Sequence, residues 1–322
     1  QKMANFLRES KYKNIIVDGY PKESCYEQLR TVTSTISSDS NMLTANSKFF
    51  AYIDSAGGGS AVGVLPYSSI GKNHVPITST AYQQPIIRAH SGVINDLAFN
   101  PFNPNELVSC SNDGTIKAWN IPNNGLICDY NDTNITTQFK HNSGVNSMGL
   151  SFHPCIEGVL ASRASKEISV FDCYTSKEVF NYNQFTHDIY SFAIANHSCN
   201  TIGVTSKDKM LRLIDIRSSN ASGSGCGCSS STEIHQGTRG TRLCWLGEHS
   251  NMLVTTGHSK SNQDRELSIW DCRNLTKPVN TTRLDSATGV IMPFYDYDTN
   301  LLCLLGKGDA TMKIFEYEAL FE

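Results

Sequence analysis

His90, Ser109 and Asp113 are the residue types of a hydrolase triad, close together in the stretch AHSGVINDLAFNPFNPNELVSCSNDGTIKAWNIP, residues 89–122. In that chemistry the serine oxygen attacks a carbonyl, the histidine takes its proton and the aspartate orients the ring. Attack also needs an exposed hydroxyl and an oxyanion hole, and no Gly-x-Ser-x-Gly elbow surrounds Ser109. The same types have a second use. Polar groups removed from water need partners, and a closed hydrogen-bonded chain from His90 through Ser109 and Asp113 to Trp119 would fix strand register. The sequence favours this use, so no catalytic residue is assigned and the chain is not expected to be an enzyme.

Two other stretches invite a chemical reading. SAGGGSA (55–61) resembles a phosphate loop but lacks the Gly-Lys-Ser/Thr ending and the following helix, so a hairpin turn between FFAYID and AVGVLP is expected. Cys226 and Cys228 could join His235 around zinc, yet no second pair stands at ligand spacing. No metal or cofactor is therefore expected. The cysteine pair lies in SSNASGSGCGCSSST (218–232), whose seven serines and three glycines predict a flexible loop.

The elements that must hold these residues are constrained by composition. A chain of 322 residues, 39% hydrophobic, can bury a large core, and its longest apolar runs are five residues. A soluble protein is predicted. Eleven scattered cysteines fit reduced thiols in a cytosolic chain better than a disulfide framework. The net charge of −3 argues against nucleic acid as a partner. Residues 1–30 hold six Lys/Arg against four acids, which leaves that end at +2 and the remainder at −5. Such an end could meet an acidic partner.

Internal repetition carries the fold. An aspartate followed six residues later by a large apolar residue recurs at Asp113/Trp119, Asp208/Ile214, Asp264/Trp270 and Asp309/Phe315, with Phe171-Asp172 a degenerate copy. The large residues are 52, 43, 56 and 45 positions apart, close to the period of about 40–45 residues of WD40 repeats plus loop insertions. Within one unit VINDLAF (93–99), ELVSC (106–110) and TIKAWN (115–120) read as strands parted by turns, as in a propeller blade. The set His90, Ser109, Asp113 and Trp119 resembles the buried relay of such repeats, and His235, Thr255, Asp264 and Trp270 are its best second copy. Where Phe171, Ile214 or Phe315 replaces tryptophan the relay is expected not to close. Blades are expected near 45–72, 90–122, 141–180, 186–218, 235–280 and 287–318, six within one all-β domain spanning 1–322.

CYEQLR (25–30), SAGGGSAVGVLP (55–66), GVIMPFYDYDTN (289–300) and LLGKGDATMKIFEY (304–317) resemble the coronin family in the expected order. That resemblance implies a seven-bladed propeller in which the strand KNIIVDG (13–19) joins the last blade. It implies binding to actin filaments, action with the Arp2/3 complex, and a place in the actin cytoskeleton at the cell cortex. It puts Arg30 at the filament; the charge balance, independently of the resemblance, sets Lys11, Lys13 and Lys22 beside Arg30 as candidate contacts to an acidic partner. The family's C-terminal extension and coiled coil have no counterpart here, and without a heptad run a monomer is expected. The alternative is a WD40 adaptor that recruits other proteins and does not bind actin.

Overall fold

The computed structural model describes residues 10–14, 16, 19, 21–32, 41–72, 84–196, 200–217, 228–247, 250–260 and 264–318. Among them there is no α-helix, and no helix is long and apolar enough to cross a membrane. Apart from a two-stranded parallel pair, Tyr26–Glu27 with Gly71–Lys72, the described strands form six antiparallel sheets that follow one another along the chain, each a meander whose first strand lies innermost. Sheet one is Leu43–Ala45, Phe49–Asp54, Ala61–Pro66 and Ile86–Ile87. Sheet two is Ile94–Phe99, Glu106–Ser111, Ile116–Asn120 and Ile135–Phe139. Sheet three is Gly149–Phe152, Val159–Arg163, Ile168–Asp172 and Lys177–Tyr182. Sheet four is Ile189–Ile194, Thr201–Ser206, Met210–Asp215 and Cys228–Glu233, and sheet five is Arg242–Leu246, Met252–His258, Arg265–Asp271 and Asn280–Asp285. Sheet six has three strands, Ile291–Asp296, Leu301–Gly306 and Met312–Glu316. These are propeller blades.

The period of two along each strand sends alternate residues into different cores. In sheet two Leu107 and its cross-strand partner Trp119 face sheet one, packing with Phe49, Ile53 and Val62. Their neighbours Val108 and Ala118 face sheet three and meet Leu160 and Phe171. Further cores join sheets three and four, four and five, and five and six. Each fully buried side chain of this size, such as Trp119 or Phe171, contributes about 1.5–3 kcal/mol.

No such core joins sheet six to sheet one among the described residues. On sheet one the outward side of Phe50, Tyr52 and Leu65 is covered by Tyr26 and Leu29, with the Tyr26 ring edge-on to Phe50 at 4.7 Å. On sheet six Phe294, Leu305, Met312 and Ile314 are 51, 42, 53 and 51% exposed. Their register places all four on the side opposite the buried Leu302 and Leu304.

Three expectations need correction. The serine-rich stretch is not loop throughout: Cys228–Glu233 is the outer strand of sheet four, paired with Met210–Ile214, because backbone pairing needs no apolar side chain. The blades reach further than the repeats suggested, since Ile135–Phe139 and Ile86–Ile87 lie beyond the boundaries at 122 and 72. At the N-terminus, Lys11–Asn14 forms a turn where the strand 13–19 was to begin; Ile15, Val17 and Asp18 lie outside the described residues. The Tyr12 hydroxyl donates to the Thr299 carbonyl at 2.6 Å, which ties this turn to sheet six. The glycine-rich stretch does form a hairpin turn, with Gly57, Gly58 and Gly59 at φ of 62°, 73° and 92°, the left-handed region that glycine tolerates.

Candidate functional site

The His90 imidazole, in the loop before the first strand of sheet two, reaches the second strand and the turn that follows it. Its Nε2 lies 2.9 Å from Ser109 Oγ, and its Nδ1 lies 2.9 Å from Asp113 Oδ2 and 3.1 Å from Thr115 Oγ1. The Trp119 indole N–H donates to Ser109 Oγ at 3.0 Å. A neutral ring protonated on Nδ1 satisfies every group: Trp119 donates to Ser109, Ser109 to His90, and His90 to Asp113. Burial holds His90 below its ordinary pKa despite the attraction of Asp113, so this neutral form is the one present at pH 7.

The connectivity is that of a triad, but the chemistry is closed. Ser109 is fully buried and its oxygen is occupied by the indole, so no carbonyl can reach it. What the arrangement does is bind the loop before the first strand to the second and third strands.

Sheet five repeats part of it. His235 Nε2 lies 3.0 Å from Thr255 Oγ1, which also accepts from Trp270 Nε1 at 2.9 Å. Asp264 departs from the expected relay. It takes the Arg283 guanidinium at 2.9 Å, and Glu266, 3.5 Å from His235 Nδ1, stands nearest the ring. An arginine on the adjacent outer strand outcompetes a neutral imidazole for the aspartate. Sheet three corrects a second expectation. Although Phe171 offers no N–H, His141 binds Ser162 at 3.0 Å and Ser169 at 2.9 Å, lies 3.2 Å from Glu167, and meets the Phe171 ring edge-on at 5.5 Å. His187 joins no relay; in sheet four Asp208 pairs with Arg212, whose guanidinium stacks 5.6 Å from the Phe185 ring.

A regularity absent from the repeat pattern links these variants. At the end of the second strand or in the turn after it, each sheet carries a carboxylate facing a basic side chain. The pairs are Asp113 with His90, Glu167 with His141, Asp208 with Arg212, Asp264 with Arg283, and Asp309 with Arg265 at 2.7 Å. Sheet one supplies Asp54, 1% exposed, and its partner is Arg30, with Nε to Oδ2 at 3.5 Å. The repeat pattern shows the first of these pairs but not the shared arrangement, because the cation comes from the loop before the blade, the next strand, the outer strand, another blade or the N-terminal segment in turn.

Arg30, expected at the filament by resemblance, and the lysines expected beside it from charge are not brought together. Arg30 stands where the second strand of sheet one ends. Lys11 and Lys13, both exposed, flank Tyr12, whose anchor Thr299 is in the turn between the first two strands of sheet six. First-to-second and second-to-third turns lie at opposite ends of a blade, so Arg30 and the two lysines occupy opposite rims. Lys22 begins a short 3-10 turn, Lys22–Ser24. Of the cysteines weighed as zinc ligands, Cys226 lies outside the described residues and the Cys228 thiol donates to the Ser230 carbonyl at 3.4 Å; among the described residues no cluster of His, Cys, Asp and Glu could hold a metal ion.

Comparison with known proteins agrees with this architecture. A family model described as a domain of unknown function, DUF1899, matches residues 5–72, and one for the WD domain, G-beta repeat, matches residues 82–120. The chain is 31% identical to the coronin-like protein of Saccharomyces cerevisiae over 98% of its own length and 47% of that protein's. It is 30% identical to human coronin-2A, covering 97% and 56%, and 32% identical to coronin-A of Dictyostelium discoideum, covering 98% and 65%. The chain thus spans about half the length of the first of these relatives. The WD40 domain of Toxoplasma gondii coronin superposes with a TM-score of 0.79 over 91% of this chain and 70% of that one, at 24% identity.

Proposed function

Because the chain belongs to the coronin family, we propose that it is an actin-filament-binding propeller that regulates the actin cytoskeleton at the cell cortex together with the Arp2/3 complex. The observation that carries this reading is the similarity to coronins over 97–98% of the chain, which extends well beyond the repeat shared by all WD40 proteins. Filaments are acidic, and a planar guanidinium suits their carboxylates.

Arg30 is the contact residue in this reading, with its side chain 31% exposed beside Asp54. Lys11, Lys13 and Lys22 belong to the same proposal, but Lys11 and Lys13 on the far rim would have to meet a different part of the filament from Arg30. Co-sedimentation with filaments tests the proposal. The relay His90, Ser109, Asp113 and Trp119, and the set His235, Thr255 and Trp270, serve the scaffold and not the contact.

A further inference from the structure

A cleft of about 210 Å³ opens between sheets four and five, on the rim that carries the second-to-third turns. Lys207 and Lys209 enter it from the turn of sheet four, and the loop His235-Gln-Gly-Thr-Arg-Gly-Thr241 closes its other side. Gly237 lets that loop lie against sheet five: its N–H donates to the His258 carbonyl at 2.7 Å, and a Cβ there would stand 2.6 Å from His258 Cβ. Lys209 is held in place, its Nζ donating to the Gln236 carbonyl at 2.7 Å.

The neighbouring acids are already committed. Asp188 accepts from the Ser165 hydroxyl, Asp208 takes Arg212 and Ser206, Glu233 accepts from Gln236, and Glu266 faces His235. Among the described residues no carboxylate pairs with Lys207 or Arg239, both exposed on the lip of the cleft. Thr241, 3% exposed, lines the same cleft, and its buried hydroxyl has no hydrogen-bond partner among the described residues. A buried hydroxyl without a partner costs stability, and a ligand that supplied one would recover it.

We propose that this cleft binds a phosphoryl group carried on a phosphorylated serine or threonine of a partner protein. A dianion compensates both Lys207 and Arg239, whereas a single carboxylate leaves one of them unneutralised. Its several oxygens can accept from two cations and the Thr241 hydroxyl together. A protruding side chain fits this geometry better than an anionic bilayer does, because the cleft is recessed between two blades and Thr241 at its base is buried, out of reach of a flat surface. This site is independent of the actin reading and shares no residue with it.

The test uses N-acetyl-phosphothreonine amide, inorganic phosphate and phosphatidylserine-containing phosphatidylcholine vesicles as probes, followed by amide chemical shifts and calorimetry. The proposal expects phosphothreonine amide to shift the signals of Lys207 and Gly237–Thr241 saturably and to bind more tightly than inorganic phosphate. Lys207→Gln with Arg239→Gln should weaken it by about tenfold or more at unchanged melting temperature. Thr241→Val should weaken binding while leaving stability equal or higher, since it removes a hydroxyl that lacks a partner. Absence of a saturable shift, or binding that survives the double variant, overturns the site. Equal affinity for inorganic phosphate, or vesicle binding abolished by the double variant, overturns the phosphoprotein assignment.

Discussion

Nε of Arg30 lies 3.5 Å from Oδ2 of Asp54, a carboxylate that is almost wholly buried, so the residue assigned to the filament also closes the ion pair of the first blade. The segment it sits on is fastened there by backbone bonds, with Ser55 N–H donating to the Arg30 carbonyl at 2.9 Å. A surface pairing with Glu23 or Glu27 would leave Arg30 free to change without cost. The pairing with Asp54 does not. Arg30→Gln is expected to lower stability by about 1–3 kcal/mol, and Arg30→Asp by more, because it sets a second carboxylate beside Asp54. Urea midpoints for the two variants check the order; equal midpoints for both and for the parent chain would remove the pair from the account.

Trp119→Ala should cost about 3–5 kcal/mol, from the lost aromatic and the cavity it leaves. Trp119→Phe keeps most of the packing and removes only the N–H to Ser109, so a loss of about 1 kcal/mol is expected, and Asp113→Ala should fall between, at about 1–3 kcal/mol. Thermal melts of the three variants test the relay. Unchanged melting of Trp119→Ala would refute it.

Stability should fall as the pH drops below about 6.5. Burial lowers the pKa of His90, His141 and His235 in the folded chain. Below their ordinary value the unfolded chain therefore binds protons that the folded chain refuses, and stability present above it is lost. Asp96 works the other way. Burial raises it from 3.8 to about 6, so between these values the folded chain holds the extra proton. Asp96→Asn should make the acid loss between pH 6.5 and 4 steeper than in the parent chain, as read from urea midpoints across that range. A shallower loss would contradict the assignment of signs.

Leu304 and Leu305 are adjacent on one strand and face opposite sides of sheet six, at 2 and 42% exposure. Leu304→Ala should cost about 2–5 kcal/mol. Leu305→Gln with Ile314→Gln should cost little and should reduce binding of an apolar fluorescent dye, because the exposed face is the dye's docking surface. Equal dye binding by the double variant and the parent chain would show that this face is covered.

The blades were legible because tryptophan or another large residue recurs at a fixed distance from a turn aspartate, and because turn residues punctuate short alternating strands. Outer strands were harder to read. Cys228–Glu233 buries little and so carries little apolar pattern, Ile135–Phe139 puts only Ile135 and Phe139 toward the cores, and each pairs with its one neighbour across a bulge. Of the site, His90, Ser109, Asp113 and Trp119 were readable since all four lie in one repeat. The partners of Asp264, Asp54 and Asp309 were not, because Arg283, Arg30 and Arg265 are supplied by other strands, by the N-terminal segment or by the next blade over. The repeat spacing, which runs from the turn aspartate to the third strand, cannot show contacts that reach the aspartate from an outer strand or from outside the blade.

The central claim is filament binding by the propeller. Co-sedimentation of the chain with actin filaments tests it most directly, run at low and high salt beside Arg30→Gln, whose folded fraction is confirmed first by its urea curve. The account predicts saturable pelleting at low salt, weaker pelleting as salt screens the contact, and a marked loss for the folded Arg30→Gln variant. A chain that stays in the supernatant with filaments at low salt would contradict the claim; pelleting unaffected by Arg30→Gln would contradict the contact residue.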